Sequence, residues 1–321
     1  MGAPAEHVPV LLREVCRALG PALPAAGGVL VDATCGLAGH LIALLEAAHP
    51  ARVIAFDRDP QARALAWARL EAAGRTGGVT LVDAPFSTIA ARVRDAGVTH
   101  VHAILADIGV SSLQLDRGTR GFSWRVDAPL DMRMDPSGGP TAAEILASID
   151  AGALTRILRE LGEEPDAGRI AKAIVAARPT TTFALAETVA TAMSAPQRRK
   201  LGLRIHPATR TFQALRLHVN DELGQLDRLL EDAPELLAVG GRLGVISFHS
   251  LEDRRVKQRF AALSRAPAVP AHVPMRADEL PRAKFALPAE FAKGVTAAPD
   301  ELAANPRARS ARLRVLERTQ A

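Results

Sequence analysis

The chain of 321 residues is 48% hydrophobic, carries a formal net charge of +5 and contains 2 cysteines. Its length allows a full α/β domain with an additional segment. The sequence has neither an apolar run of about 18 residues nor the basic-then-apolar start of a secretory signal. Cys16 and Cys35 lack metal-binding or redox spacing. These features argue against membrane-spanning, secreted and disulfide-rich proteins, and they predict a cytoplasmic protein without membrane contact.

Charge is unevenly distributed along the chain. Residues 1–112 carry 9 basic and 10 acidic side chains, whereas the rest of the chain carries 31 and 25. Arginine outnumbers lysine by 35 to 5, and guanidinium groups suit bidentate contact with phosphate. The imbalance favours a polyanionic partner for the second part of the chain, with a mixed solvated surface as the alternative.

A strand, a glycine turn and a helix are predicted near the start of the chain. The apolar run Val29–Val31 ends at Asp32, Gly36 and Gly39 follow, and leucines then recur at helical spacing. A second apolar run ends at Asp57, where a doubly wound sheet places its acceptor for a pair of ribose hydroxyls. Glycine lets the backbone approach a ligand, and a helix N-terminus offers free N–H groups. We therefore predict a nucleoside-like ligand, with a purely structural turn as the alternative.

Two further strands are predicted, and each ends in an acid. Residues 79–82 lead to Asp83 and then to Phe86, which is placed either to stack on a heterocycle or to pack in the core. Residues 101–107 end at Asp107. Strands alternating with helices predict a parallel sheet covered on both faces, with ligands outside the carboxyl ends of the strands.

The α/β pattern breaks off and later resumes. A segment rich in Gly, Pro, Asp and Arg is followed by a long helical pattern, so we predict a helical insertion over residues 117–233. The sheet domain then consists of residues 1–116 and 234–321. Ser250 is predicted to cap a helix, and the alternation of Arg with Leu and Val after residue 305 predicts an edge strand with one basic face.

The residues at the predicted sheet edge fit adenosine. The third glycine of the dinucleotide fingerprint and the lysine of a nucleotide-binding P-loop are both missing. S-adenosylmethionine is the remaining common adenosine cofactor, and strand-end carboxylates would balance its sulfonium charge. His100 and His102 have no ligand partners in register, so we predict no metal site.

Several ordered motifs lie along nearly the whole chain: Asp57-Arg-Asp-Pro, Pro129-Leu-Asp-Met-Arg-Met-Asp135, Gly162-Glu-Glu, His206-Pro-Ala-Thr-Arg-Thr-Phe-Gln-Ala-Leu-Arg216 and Ser247-Phe-His-Ser-Leu-Glu-Asp-Arg254. Together they resemble the RsmH (MraW) family of bacterial rRNA cytosine-N4 methyltransferases. The resemblance implies an α/β fold of the class I, Rossmann-like methyltransferase type with an inserted α-helical domain. It also implies methyl transfer from S-adenosylmethionine to the N4 amine of a decoding-region cytosine in 16S rRNA of the small ribosomal subunit.

The resemblance also implies roles for particular residues. Cofactor contacts are expected from Ala38, Gly39, His40, Asp57, Phe86, Asp107 and Gln114. Asp107, Ser111 and Ser112 are the catalytic candidates, because they can accept hydrogen bonds from the target amine. Ala38 stands where the family usually has glycine, Leu37 where it commonly has arginine, and Leu113 where it usually has proline.

Candidate substrate contacts come from two groups of residues. Trp124, Met132 and Met134 are hypothesised to wall the pocket for the target base, with packing between sheet and insertion as the alternative. His206, Arg210, His249 and Arg254 are hypothesised to contact RNA phosphate or the base, with local caps or ion pairs as the alternative.

Two other functions stay open at this point. One is a methyltransferase acting on another nucleic-acid amine, such as DNA cytosine or adenine. The other is a non-catalytic RNA-binding factor in ribosome assembly. The sequence leaves the oligomeric state undetermined, with a homodimer as one candidate.

Overall fold

The computed structural model describes residues 9–24, 27–109, 118–202, 206–267, 276 and 281–320. The chain forms two compact units. One is a sheet unit made of Met1–Gly109 and Gln225–Ala321, and the other is a helical unit made of Val110–Gly224. None of the helices within the described ranges is long and apolar enough to cross a membrane.

The described part of the chain has the following regular elements. The helices are α1 (Leu12–Leu19), α2 (Gly39–Ala48), α3 (Pro60–Ala72), α4 (Ile89–Asp95), α5 (Ala142–Ser148), α6 (Ala151–Glu160), α7 (Ala167–Ala177), α8 (Thr182–Ala192), α9 (Ala195–Leu201), α10 (Thr209–Val219), α11 (Glu222–Leu236), α12 (Ser250–Leu263) and α13 (Pro299–Ala304). The strands are β1 (Val29–Asp32), β2 (Arg52–Phe56), β3 (Val79–Val82), β4 (Val101–Asp107), β5 (Leu237–Ser247), β6 (Phe285–Ala286), β7 (Val295–Thr296) and β8 (Arg312–Arg318).

The strands form one sheet in the order β3-β2-β1-β4-β5-β8-β6, with β7 also paired to β8. Strands β1 to β5 are parallel, and β8 runs antiparallel to β5, β6 and β7. Successive side chains point to opposite faces of a strand. Accordingly Leu30 and Val53 join one buried apolar cluster, while Val31 and Ile54 join another. The sheet therefore has a core on each face, as the predicted parallel α/β sheet requires.

The helical unit has its own core, built on amphipathic helices with defined starts. Thr141 and Glu144 form a capping box at α5, and the Asp150 side chain accepts the N–H groups of Gly152 and Ala153 at α6. Such caps satisfy N–H groups that the first helical turn leaves without partners. Leu154 and Leu158 of α6 and Ile170 and Ile174 of α7 are fully buried.

The segment before α5 is irregular but held by hydrogen bonds. Asn220 donates from its side-chain amide to the Met132 carbonyl at 2.7 Å and accepts the Met134 N–H at 2.8 Å. Arg120 donates to the carbonyls of Arg133 and Met134. Polar side chains thus replace the regular backbone pairing that this Gly- and Pro-rich sequence cannot form.

The division into units differs from the predicted one at both ends, Val110 and Gly224 instead of 117 and 233. The second boundary falls inside α11. Leu226, Leu229 and Leu230 recur at helical spacing and pack in a core of the sheet unit, so this part of the helix belongs with the sheet rather than with the insertion.

The prediction of an edge strand at the chain's last regular segment is wrong. Strand β8 lies between β5 and β6. Arg314 is only 7% exposed and forms two hydrogen bonds with Asp253, at 2.7 and 3.0 Å. Because Asp253 neutralises this arginine, the strand can lie inside the sheet, and the predicted face is not an open basic surface.

The predicted helix cap at Ser250 is off by one residue. His249 is the N-cap of α12, and its ring Nδ1 accepts the Glu252 N–H at 3.4 Å. Glu252 in turn accepts the N–H groups of Phe248 and His249 at 2.8 and 3.2 Å. Asp253, three residues after Ser250, pairs with Arg314.

Candidate cofactor and catalytic site

Three acids lie at the carboxyl edge of the sheet, on adjacent strands. Asp32 is the last residue of β1 and lies opposite Ala55 of β2 on one side and Leu105 of β4 on the other. Asp57 directly follows β2, and Asp107 ends β4. The chain leaves β1 toward β2 and returns on its other side at β4, so this edge is the topological switch point where open α/β sheets bind ligands.

The glycine loop is tied to the neighbouring strands through its backbone. The Ala33 N–H donates to the Leu105 carbonyl and the Cys35 N–H to the Phe56 carbonyl, each at 2.8 Å. The Gly36 N–H donates to Asp57 Oδ2 at 2.8 Å. These bonds fix the loop between β1 and α2 beside the strand-end acids.

This loop ends at Ala38 and Gly39, two predicted cofactor contacts. Backbone conformation constrains the residue type at position 38, and packing constrains it at position 39. Ala38 has φ of 59°, a left-handed conformation that favours glycine. Gly39 is needed for packing, because a Cβ there would lie 2.4 Å from Pro9 Cγ. The glycine that the family usually has in place of Ala38 therefore matches the backbone that this loop adopts.

Replacing Ala38 with glycine is expected to stabilise the protein by about 1 kcal/mol, since a left-handed residue with a side chain carries a penalty of that order. Chemical denaturation should show a higher midpoint with an unchanged slope. Gly36→Ala is the matched comparison, because Gly36 has φ of 51°. This variant should lose about as much stability as Ala38→Gly gains. A destabilised Ala38→Gly variant would contradict the expectation.

Asp57 is held as an acceptor at the end of β2. Its Oδ1 accepts the Asp59 N–H and its Oδ2 accepts the Gly36 N–H, both at 2.8 Å. Burial raises the pKa of Asp57 to about 6, against the lowering effect of these two hydrogen bonds. The carboxylate is therefore ionised at neutral pH and retains lone pairs for further donors.

Phe86 and Asp83 follow β3, but only Phe86 turns inward. Phe86 begins a 3₁₀ turn and is half-buried against the apolar cluster that contains Phe56. The Asp83 side chain is 71% exposed and pairs with Arg63 at 2.7 Å. Of the four predicted strand-end acids, Asp83 thus points to solvent.

Asp107 has one carboxylate oxygen that accepts no hydrogen bond from the described residues. Its Oδ1 is buried without a hydrogen-bond partner among the described residues, and Oδ2 lies 3.6 Å from His40 Nδ1. The Asp107 backbone N–H donates to Thr34 Oγ1 at 2.6 Å. Burial and the negative charge of Glu252 raise the pKa of Asp107 to about 7. A buried acceptor without a partner fits a ligand that brings a donor or a positive charge.

Asp32, one of the four predicted strand-end acids, is 1% exposed, and burial raises its pKa to about 7. Sequence reasoning missed Glu252, which is 2% exposed and acts on Asp107 by its charge. Glu252 lies 145 residues from Asp107 in the numbering, and no local pattern relates the two. The catalytic candidates Ser111 and Ser112 and the predicted cofactor contact Gln114 lie outside the described part of the chain.

In the helical unit, Trp124 and His206 are brought together. Their rings stack with centroids 3.9 Å apart and planes 14° from parallel. The Arg125 guanidinium lies 5.2 Å from the centre of the Trp124 ring. His206 Nδ1 accepts the Ala208 N–H at 3.2 Å, and burial lowers the pKa of His206. The stack is thus a neutral aromatic platform with a cation on it.

Met132 and Met134, by contrast, are buried in the core of the same unit, at 0% and 6% exposure. Met132 also has φ of 60°, and Asn220 holds the backbone of both. This placement favours packing over a wall of a base pocket. Arg210, at the start of α10, donates to the Glu163 carbonyl at 3.1 Å.

His249 and Arg254, the two candidate RNA contacts in the sheet unit, lie at the start of α12. His249 serves as its cap, as described above, which is the local role that sequence reasoning left open. Arg254 is exposed in the first turns of the helix. Within the described ranges, no group of three or more His, Cys, Asp or Glu side chains could hold a metal ion.

Comparison with known proteins gives matches over nearly the whole chain. Residues 4–319 match the MraW methylase family. The chain is 49% identical over 320 residues to "Ribosomal RNA small subunit methyltransferase H" of Nocardioides sp., covering 98% of this chain and 97% of the relative. It is 48% identical over 330 residues to the protein of the same name from Aromatoleum aromaticum, covering 99% of both. A solved rRNA methylase structure from Streptococcus thermophilus aligns with a TM-score of 0.40 and 13% identity, over 96% of this chain and 94% of that one.

Proposed function

We propose the reaction from one premise: the chain belongs to the MraW methylase family. It transfers a methyl group from S-adenosylmethionine to the N4 amine of a cytosine in the decoding region of small-subunit rRNA. The observation that carries the proposal is the edge of the sheet, where Asp57 and Asp107 lie on either side of Asp32 with the glycine loop above β1. Relatives about 48% identical are named for rRNA of the small subunit, which supports this substrate class.

The residues at this edge suit the proposed cofactor. Asp57 accepts the ribose hydroxyls, because each of its oxygens keeps a lone pair beyond the bonds to Gly36 and Asp59. Phe86 stacks against adenine, and the backbone at Gly39 and His40 offers the N–H groups of a helix start. Gln114 is proposed to complete the pocket from the resemblance alone. When bound, S-adenosylmethionine supplies an electrophilic methyl group on a positively charged sulfur.

Asp107 is proposed to act on the target amine. The lone pair of a cytosine amine is delocalised into the ring, so the nitrogen is a poor nucleophile. An acceptor aimed at its N–H groups favours a tetrahedral nitrogen and then takes the released proton. Asp107 Oδ1 is such an acceptor, being buried and without a partner among the described residues. Ser111 and Ser112 are proposed to assist by hydrogen bonding.

RNA contact is proposed for Arg210, Arg254 and the aromatic stack of Trp124 and His206. The stack of Trp124 and His206, with Arg125 beside it, is proposed to continue onto an unstacked base, since aromatic stacking is the common way proteins hold single-stranded RNA. Arg210 and Arg254 are proposed to contact phosphate.

Replacing Arg210 with alanine is expected to weaken binding to all RNA sequences alike. The slope of the logarithm of RNA affinity against the logarithm of salt concentration should become shallower by about 1. Cofactor affinity should stay unchanged. Arg210→Lys is the control, because it keeps the charge but not the planar bond to the Glu163 carbonyl. If the lysine variant loses as much RNA affinity as the alanine variant, Arg210 acts on the local fold and not on phosphate.

Mass spectrometry of small-subunit rRNA from a deletion strain tests the reaction itself. The strain should lack one methyl group on a decoding-region cytosine, and the wild-type gene should restore it while Asp107→Asn should not. An unchanged methylcytosine would overturn the proposed target. Methylation found on another nucleic-acid amine would keep the enzyme class and change the substrate.

A further inference from the structure

We propose that Glu301 is a positioning residue for the cofactor: it fixes the segment Pro9–Leu11, named the strap, which in turn fixes the first turn of α2. The strap contacts Gly39 and His40, two of the residues at which the cofactor is proposed to bind. The inference therefore rests on the proposed placement of the cofactor at the glycine loop. The contacts that carry it all lie within the sheet unit.

The strap contacts both residues that begin α2. The Pro9 ring lies so close to Gly39 that a side chain at position 39 would collide with it. The Val10 carbonyl is hydrogen-bonded to His40 Nε2 at 2.8 Å, and because a carbonyl only accepts, Nε2 is the donor. The other ring nitrogen of this buried histidine lies 3.6 Å from Asp107 Oδ2. A displaced strap would thus release the start of α2 and the ring beside the proposed catalytic acid.

The strap ends at Leu11 in a conformation that its sequence does not favour. Leu11 has φ of 56°, in the left-handed region that residues with side chains rarely adopt. It is the N-cap of α1, and leucine has no side-chain oxygen with which to cap the helix. Leu11 is 0% exposed, so its backbone N–H needs a partner within the protein. A contact from elsewhere in the chain must therefore stabilise this residue.

Glu301 of α13 supplies that contact. Its Oε1 accepts the Leu11 N–H at 2.6 Å, across 290 positions of the chain. In a capping box, a glutamate in the first turn of the same helix accepts the N–H of the N-cap residue. Here a distant glutamate takes this role, and its negative charge is also favourable near the N-terminus of α1. Glu301 therefore stabilises the left-handed Leu11 and, through it, the positions of Val10 and Pro9.

Two ion pairs also join α1 to the C-terminal part of the sheet unit, but each joins two exposed side chains. Arg13 and Asp300 are 2.6 Å apart, with side chains 68% and 65% exposed. Arg17 and Glu290 are 3.7 Å apart, and both side chains are more than half exposed. Exposed pairs of this kind contribute little to stability. Glu301 differs from these acids in binding the backbone of the strap, and the neighbouring Asp300 provides a matched control.

The test is S-adenosylmethionine binding to the full-length protein, measured by isothermal titration calorimetry. Glu301→Ala removes the acceptor of the Leu11 N–H and is expected to weaken cofactor binding by about tenfold, the effect of one charged hydrogen bond. Glu301→Gln keeps an oxygen in the same place and should recover most of the affinity. Asp300→Ala removes only the exposed pair with Arg13 and should stay within about twofold of wild type.

Two further measurements distinguish positioning from a general loss of stability. In Glu301→Ala, the KM for S-adenosylmethionine should rise about tenfold while kcat changes by about twofold or less, because bound cofactor restores the strap. The hydrogen on His40 Nε2 should also exchange with water faster in this variant, because its bond to Val10 opens more often. A variant that is only less stable would melt at a lower temperature and leave both quantities unaltered in the folded protein.

Pro9→Ala tests the strap without a change at Glu301, and it serves if Glu301→Ala does not fold. It removes part of the ring that lies against Gly39, so it should raise the KM for the cofactor and spare kcat in the same way. Cofactor affinity within about twofold of wild type in either folded variant would overturn the inference. An equal loss of affinity in Glu301→Gln or Asp300→Ala would also overturn it, because the Leu11 hydrogen bond would then not be the cause.

The same titrations on Asp57→Ala separate this inference from the proposed function. If Asp57→Ala keeps its cofactor affinity, the proposed cofactor site fails. If Asp57→Ala loses affinity and Glu301→Ala does not, only the role of Glu301 fails.

Discussion

Replacing Asp57 with alanine is expected to weaken S-adenosylmethionine binding by about 30-fold or more, the loss expected when charged hydrogen bonds to a ligand are removed. The substitution removes the acceptor proposed for the ribose hydroxyls. It also leaves the N–H groups of Gly36 and Asp59 without their partner. Isothermal titration calorimetry measures the change directly.

Asp83→Ala is the matched control for this variant. Asp83 also follows a strand of the same edge, but it is exposed and paired with Arg63, so its loss should leave cofactor affinity within about twofold. Equal losses of cofactor affinity in the two variants would show that binding depends on the net charge of this edge and not on a specific acceptor. Undiminished affinity in Asp57→Ala would remove the ribose role.

Cofactor affinity should also depend on pH through Asp57. Its carboxyl group accepts both ribose hydroxyls most strongly when ionised, and its pKa lies at about 6. The contribution of Asp57 to affinity should therefore be complete above that value and be lost as the pH drops through it. This part of the pH dependence should disappear in Asp57→Ala.

Replacing Asp107 with asparagine is expected to lower the rate of methyl transfer by about 10²- to 10⁴-fold, the range for removing a positioned general base. Asparagine keeps the shape and one oxygen but cannot take the proton. Single-turnover measurements at saturating cofactor isolate this step from binding. In the wild type the rate should fall as the pH drops through about 7, and the variant should lose this dependence.

Stability provides an independent check on the Asp107 variant. The folded state holds the Asp107 proton more tightly than the unfolded chain, since burial raises the pKa from 3.8 to about 7. The resulting stabilisation is present at low pH and is lost as the pH rises through the folded value. Asp107→Asn should thus gain melting temperature relative to wild type more at pH 8 than at pH 5. A variant that is inactive and less stable at pH 8 would point to misfolding instead.

The central strands were predictable because each is a continuous apolar run bounded by turn residues or an acid. Strands buried on both faces have this pattern, so β1 and β4 begin and end where the sequence places them. The same logic put Asp57, Phe86 and Asp107 at one edge of the sheet, where the structure has them. Their roles in binding and catalysis stay predictions.

The side-chain pairings that the sequence could not predict join residues that are far apart in the chain. Asp253 and Arg314 are 61 residues apart, and their pairing allows an arginine-rich strand to lie inside the sheet. His40 was expected to contact the cofactor, and the sequence did not indicate that its ring bonds Val10, 30 residues away, and lies near Asp107. Periodicity carries no information on such pairs, since it reports only which face of an element is buried.

The interior position of β8 has a consequence for synthesis on the ribosome. Until residues 312–318 leave the exit tunnel, β5 has an unsatisfied edge and β6 lacks the β8 strand with which it pairs. Such an edge invites pairing with other nascent chains. The helical unit, whose chain is continuous, can fold earlier, so chaperone protection would matter most during the last stage of translation.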